Sequence, residues 1–133
     1  MAVGGDIKEL RVNHPTLGSR VFGVKAKESN TYDPGGPRSE DSADAITTQG
    51  KPIRSISMTR GEFNCMIEND QATDDAQFIA DLSKDPVEGT WQITVINGTE
   101  WKLVGSPVGD IKPDIMNATL QIKVQGGPMV KVG

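Results

Sequence analysis

The sequence predicts a mainly β protein with one α-helix: an antiparallel β-sandwich or barrel of about seven strands, with the helix, residues 73–84, packed on the sheet edge. Three observations support this fold class. Short runs of alternating apolar and polar residues recur along the chain, turn-forming Gly, Pro, Asn and Asp separate them, and a single segment changes to a helical period. The 133 residues are expected to form one domain, 1–133.

The clearest strand signal is a hairpin near the C-terminus. Segments 91–96 and 99–104 alternate on either side of Asn97-Gly98, a dipeptide favoured in type I′ turns because both central residues need positive φ. Trp91 and Ile93 are therefore expected to share a face with Trp101 on the partner strand. The other predicted strands are 7–12, 17–27, 53–60, 62–68, 118–124 and a short 129–132.

The predicted helix follows the strand 62–68. Ala76 and Ile79 lie on one helical stripe within residues 69–83. Thr73 or Asp74 is the predicted N-cap, and acidic residues in the first turn suit the helix dipole. The periodicity thus indicates one amphipathic helix that ends before Pro86.

Residues 28–50 are predicted to be a long flexible loop. These 23 residues are rich in Ser, Asp, Gly and Pro, and 33–37 read Asp-Pro-Gly-Gly-Pro, a run that favours turns over a strand interior. Structureless segments of this length are uncommon in compact domains and are usually functional or disordered. The segment is therefore a candidate for a functional role.

Composition indicates that the core is small and the charges are unevenly placed. Apolar residues make up 35% of the chain, below the usual share of roughly 45–50%. Either the isolated domain is only modestly stable, or neighbouring subunits supply part of its stability. Residues 28–50 hold five acids and one base, residues 62–88 hold eight acids and one base, and the rest holds five acids and twelve bases. Either the loops are simply solvated and acidic, or copies meet through surfaces of opposite sign.

The sequence predicts no catalytic residues, no cofactor, no metal and no enzymatic activity. No glycine-rich nucleotide motif follows a strand and opens a helix. His14, the single histidine, is expected to be solvated in a turn, and Cys65 is expected to point inward as a small hydrophobe. The acidic pairs Asp74-Asp75 and Glu40-Asp41 lack calcium-loop spacing. No signal peptide or membrane span is expected, which favours a chain made in the cytoplasm.

The C-terminal third resembles a known family. Residues 98–105 (GTEWKLVG), 108–114 (VGDIKPD) and 118–124 (ATLQIKV) are similar to the closing strands of bacteriophage tail tube proteins. The predicted order of elements is similar too: an early strand pair, a long loop, two strands, one helix and a strand trio. The chain has no room for an extra decorating domain, which favours the contractile-tail type.

The resemblance implies hexameric rings that stack into a hollow tube in the virion tail, assembled in the host cytoplasm. DNA would pass through the lumen without specific binding, and the partners would be further copies of the chain with sheath, tape-measure, tail terminator and baseplate proteins. The loop 28–50 would contact a neighbouring subunit. Its candidate inter-subunit residues are Asp33, Pro34, Gly35, Gly36, Pro37, Arg38, Glu40, Asp41 and Asp44.

Two alternatives remain open from the sequence. A type VI secretion tube, or a baseplate or tail-completion ring protein, would share the architecture. A small β-barrel ligand-binding protein or enzyme is a different class, and it would need inward polar groups such as Trp101, Gln92 and Glu100 around a cavity of several hundred Å³.

Overall fold

A computed structural model describes residues 2–132, except for the side chains of residues 41–43. The described part contains ten strands and one helix, which confirms the mainly β fold with a single helix. The additional strands arise mainly because the segment predicted as a loop contributes two of them. The elements are β1 (Ile7–His14), β2 (Gly18–Phe22), β3 (Thr31–Asp33), β4 (Gly36–Ile46), β5 (Pro52–Thr59), β6 (Gly61–Glu68), α1 (Asp75–Lys84), β7 (Gly89–Val95), β8 (Glu100–Val108), β9 (Thr119–Gly126) and β10 (Val130–Val132).

The main sheet is antiparallel and closes into a barrel. Its strand order is β2-β1-β7-β8-β9-β6-β3, and β10 pairs with β8 beyond the end of β9. The segment that follows β2 returns to β6: Lys25 N–H donates to Met66 O at 3.0 Å, and Glu68 N–H donates to Gly23 O at 2.8 Å. These bonds join the first strand of the order to the sixth, so the edges that an open sheet would expose are paired.

The barrel interior is filled by apolar side chains. Trp91 lies at its centre, with ring centroids 6.1 Å from Phe22 and 5.8 Å from Phe63. The alternation in β6 puts Phe63, Cys65 and Ile67 inside, and burial raises the pKa of the Cys65 thiol to about 12. The prediction that Cys65 points inward is confirmed. The other buried apolar residues are Leu10, Val12, Ile79, Leu82, Ile93, Leu103, Leu120, Ile122, Val124 and Met129.

Helix α1 covers one end of the barrel. It begins at Asp75, two residues after the predicted start, and its N-cap Asp74 adopts a left-handed φ of 53° without a side-chain cap. Ile79 and Leu82 enter the core, and Phe78 meets Phe22 of β2 with ring centroids 6.1 Å apart. The helix also packs against β8, an interior strand. It therefore closes an opening of the barrel in addition to contacting β2.

The β7–β8 hairpin is confirmed, and its turn differs from the predicted type. Ile93 lies opposite Trp101 and Trp91 opposite Leu103, as the alternation predicts. Val95 N–H donates to Thr99 O at 2.8 Å, and only Gly98 has a positive φ, 97°. The loop is thus one residue longer than a type I′ turn, and the single glycine supplies the left-handed position.

The prediction that residues 28–50 lack regular secondary structure is wrong. β3 and all of β4 lie within this segment, and β4 pairs with β5 from Gly36 to Asp41 and again at Ile46. The turn residues at 33–37 bend the chain between two strands without ending the hairpin. Strand formation here depends on a partner that is distant in sequence, which local propensity does not register.

The prediction of a solvated His14 is also wrong. The side chain ends β1 on its inward face and is 2% exposed. Nε2–H donates to Val87 O at 2.8 Å, and Nδ1 accepts the N–H groups of Thr16 at 3.2 Å and Leu17 at 3.1 Å. Because Nδ1 accepts, the bonds are those of the neutral ring. His14 thus joins the β1–β2 turn to the segment after α1.

Replacement of His14 by alanine is expected to lower the free energy of unfolding by roughly 1–3 kcal/mol, because a buried side chain and its part-buried hydrogen bonds to Val87, Thr16 and Leu17 are lost. Denaturant unfolding measures the loss. Lys8→Ala, at an exposed position of the same strand, is the control and should change stability by about 0.5 kcal/mol or less. Equal stability of the two variants would contradict the structural role of His14.

Candidate assembly surface

One hairpin keeps the same register from the barrel wall out to the pair Asp41 and Arg54, and the pairing shifts between Asp41 and Ile46. In the wall, β3 pairs with β6 and Thr31 lies opposite Asn64. Outside the wall, β4 pairs with β5 and Gly36 lies opposite Thr59. The sequence advances five positions from Thr31 to Gly36 and goes back five from Asn64 to Thr59. No residue is therefore inserted between the two ladders. We call residues 36–59 the arm. The arm continues the hairpin that β3 and β6 form in the barrel wall.

A glycine bends the hairpin where it leaves the barrel. Gly35 has a φ of 70°, and a Cβ at this position would lie 2.6 Å from the backbone carbon of Arg60. Gly36 follows with a φ of 93°, and a Cβ there would meet nothing within 4 Å. Only glycine combines this backbone conformation with this close approach of two strands. Gly35 is therefore the residue that the bend requires.

An ion pair at the root of the arm spans the bend. Asp33 accepts two bonds from Arg38, at 2.9 and 2.6 Å, and a third from Gly35 N–H at 3.0 Å. The Arg38 guanidinium, followed by the Gly35 N–H, lowers the pKa of Asp33 from 3.8 to about 2. Because the folded-state pKa is depressed, this interaction is complete above pH 3.8 and is lost as the pH falls through about 2.

The arm has almost no protein around it. β4 and β5 pair only with each other among the described residues, so both outer edges of the ribbon carry unpaired backbone groups. At about 3.4 Å per residue, β4 alone would span roughly 35 Å. Isolated two-stranded hairpins are marginally stable in water. The arm is thus a strand pair that lacks the layer against which such ribbons usually pack.

The two faces of the arm differ. Ile56 and Met58 lie on one face and are 76% and 68% exposed, with Ser39 and Pro37 directly opposite them. Glu40 lies on the other face and accepts a bond from Ser57 Oγ at 2.6 Å. One face therefore carries the uncovered apolar pair Ile56 and Met58. The other, the polar face, carries Glu40, Ser55 and Ser57 near the root of the arm and the exposed Ile53 further out.

The charges of the arm balance. β4 carries Arg38 with Glu40, Asp41 and Asp44, while Lys51 and Arg54 lie on the returning side. Lys51 and Arg54 on the returning side thus offset the acidic excess of β4. A contact through the arm would depend on its apolar face and open edges more than on net charge.

The structure places the predicted inter-subunit residues in two groups. Asp33, Pro34 and Gly35 form the root, where Asp33 accepts hydrogen bonds from both Gly35 and Arg38. The remainder lie along β4, and the side chain of Asp41 is outside the described residues. The β4 members are Gly36, Pro37, Arg38, Glu40, Asp41 and Asp44.

Sequence reasoning missed Ile56 and Met58 as candidate surface residues. Their alternation with serines correctly predicted a strand, and it was interpreted as half-buried. The polar composition of the residues that precede them could have indicated their exposure. These side chains cannot form an apolar layer over the face that carries Ile56 and Met58.

A second feature is a cavity of about 290 Å³ at the end of the barrel opposite α1. Tyr32 and Trp101 lie on it with ring centroids 5.4 Å apart. Trp101 Nε1 is buried and has no hydrogen-bond partner among the described residues, an arrangement that costs about 1–3 kcal/mol for such a donor. The lining residues are Gly5, Ile7, Glu28, Ser29, Asn30, Thr31, Tyr32, Phe63, Ile93, Val95 and Trp101.

The structure does not bring together the three polar residues suggested for an internal site. Trp101 lines the cavity, but Gln92 and Glu100 do not. Gln92 Nε2 instead donates to Glu100 Oε2 at 3.4 Å. The large side chains around Trp91 fill the barrel centre, so the cavity is a mouth and not an internal chamber.

A scan against protein-family models and a search of curated protein sequences found no match to this chain. Among residues 2–132, His, Cys, Asp and Glu do not form a group of three or more placed to hold a metal ion. The described helix is not long and apolar enough to cross a bilayer.

Gly35→Ala is expected to reduce the free energy of unfolding by more than Gly36→Ala. Both variants incur the left-handed backbone cost of about 1–2 kcal/mol, but only the Gly35 variant forces a Cβ against the Arg60 backbone. Urea unfolding, with amide exchange at Tyr32 and Asn64, measures the difference. An equal loss in the two variants would show that the bend tolerates a side chain.

Proposed function

We propose that this chain is the structural subunit of a bacteriophage tail tube, whose hexameric rings stack into a hollow conduit for DNA ejection. The observation that carries the proposal is the arm: a ribbon with an apolar face and two unpaired edges that continues directly from the barrel wall. A second copy can cover the face and extend the ribbon by β-strand addition. Closed rings need such a contact at every subunit boundary.

The order of elements supports the same proposal. An early strand pair, the long segment 28–50, two strands (β5 and β6), one helix and a closing set of strands follow each other in the order that the tail tube resemblance implies. The excursion reaches away from its own barrel, as a segment that contacts a neighbouring subunit must. The virion tail is then the proposed location, after assembly in the host cytoplasm, with sheath, tape-measure, tail terminator and baseplate proteins as partners.

The net charge of −4 is compatible with a conduit. A surface that binds phosphate through many cations holds DNA with a steep salt dependence, and such retention would oppose ejection. We therefore propose that the chain contacts passing DNA without specific binding, and that its role is structural and not enzymatic.

Three alternatives are distinguished from a phage tail tube by different observations. A type VI secretion tube would use the same arm in a similar tube, and gene neighbours such as a tape-measure protein or secretion apparatus would separate the two. A baseplate or tail-completion ring would give rings that do not stack. A small ligand-binding barrel or enzyme would remain monomeric and use the cavity beside Trp101.

The test compares wild-type protein with the double variant Ile56→Ser/Met58→Ser by sedimentation velocity and negative-stain microscopy. Wild-type protein is expected to form rings and hollow tubes as its concentration rises. The double variant should require at least about tenfold higher concentration, because two exposed apolar side chains lose a burial of roughly 1.5–3 kcal/mol each. Thermal unfolding of the barrel should change little, since neither residue belongs to the core.

Ser55→Ala, on the polar face of the same strand, is the matched control and should assemble like the wild type. Monomeric wild-type protein at every concentration would overturn the proposal. Equal assembly of the double variant and the control would exclude the apolar face of the arm as the contact.

A further inference from the structure

The cavity beside Trp101 has the properties of a receptor for a protruding peptide. Its walls include the apolar side chains of Ile7 and Ile93 together with Trp101. Its volume of about 290 Å³ equals roughly ten water molecules at ~30 Å³ each, which suits one or two side chains. An apolar side chain presented on a turn would bury these walls.

The same chain displays a protruding peptide of this kind. Ile115 and Met116 are 89% and 93% exposed. Asp114 orders the turn around them: its carboxylate accepts the N–H groups of Met116 at 3.1 Å and Asn117 at 3.2 Å. The N–H and side-chain amide of Asn117, and then the N–H of Met116, lower the pKa of Asp114. We call residues 114–117 the apolar turn; it is held in shape before any contact.

The cavity and the apolar turn lie at opposite ends of the barrel. Val95 and Trp101 flank the β7–β8 turn and line the cavity. β8 then crosses the barrel, and residues 109–118 connect its far end to β9. Because the two features occupy different surfaces, a contact between them joins copies head to tail and can repeat.

Charge favours the same orientation. The helix end of the barrel, residues 68–88 and 109–118, holds nine acidic and two basic residues. The cavity end, residues 5–9, 25–28, 100–102 and 130–132, holds four acidic and five basic residues. Two helix ends would repel each other, whereas a helix end facing a cavity end would not.

We infer that the cavity at the open end of the barrel receives the apolar turn of a second copy of this chain, so that copies join head to tail along the barrel axis. The inference rests on the proposed function, since it supplies a contact for stacking in addition to the arm. Met116 fills the apolar part of the cavity and packs against Ile7, Ile93 and Trp101.

Cross-linking between full-length variants tests the contact. Met116→Cys is mixed with a size-tagged Ser29→Cys protein, whose cysteine lies at the cavity rim, and a short bismaleimide is added. Buried Cys65 does not interfere, because its thiol stays protonated. Mixed dimers are expected in about tenfold excess over those from Val21→Cys on the barrel wall, because docking raises the effective concentration.

A second measurement compares assembly of Met116→Ser with that of Met116→Leu. The serine variant should need about tenfold more protein to assemble, a difference of ~1.4 kcal/mol. The leucine variant should behave like the wild type, since it keeps size and apolarity.

The outcomes separate this inference from the proposed function. Assembly without cross-links from Met116→Cys, or equal assembly of the serine and leucine variants, overturns the docked turn and leaves the arm contact standing. Cross-links from Met58→Cys in place of Met116→Cys show that the arm occupies the cavity, which also overturns the inference. A chain that stays monomeric overturns both.

Discussion

The register shared by the barrel wall and the arm is the constraint on which the rest of the structure depends. Because β3 opposes β6 and β4 opposes β5 with the same offset, the arm cannot slide relative to the barrel without breaking the wall. Gly35 allows the bend, and the Asp33–Arg38 pair holds it. The direction of the arm is thus set by the folded barrel and not by a flexible linker.

This arrangement explains how a chain with few apolar residues forms a stable unit. The core is confined to the barrel and α1, and the ring of hydrogen bonds that closes through Gly23 and Lys25 leaves few wall edges unpaired. The arm contributes nothing to that core. Its apolar residues are exposed at a cost that only a further molecule can recover, so the same feature that lowers the stability of one copy favours association.

Much of the barrel could be predicted from local patterns. Alternation in β6, β7 and β8 gave the inward residues, including Cys65, because one face of each strand packs on the core. The arm could not be predicted, because β4 has the composition of a loop and becomes a strand only by pairing with β5. Periodicity also shows which residues share a face but not whether that face is covered, so the exposure of Ile56 and the burial of His14 depend on the tertiary fold.

Amide hydrogen exchange in dilute and concentrated protein tests most directly whether the arm is ordered by a second copy. Barrel amides such as those of β6 and β9 should be protected at both concentrations. Amides of β4 and β5 should exchange rapidly in dilute protein and become protected as copies associate, because the arm gains a partner on its face and edges. Arm amides that are equally protected in the dilute monomer, or that stay rapid while the protein assembles, would contradict the central role of the arm.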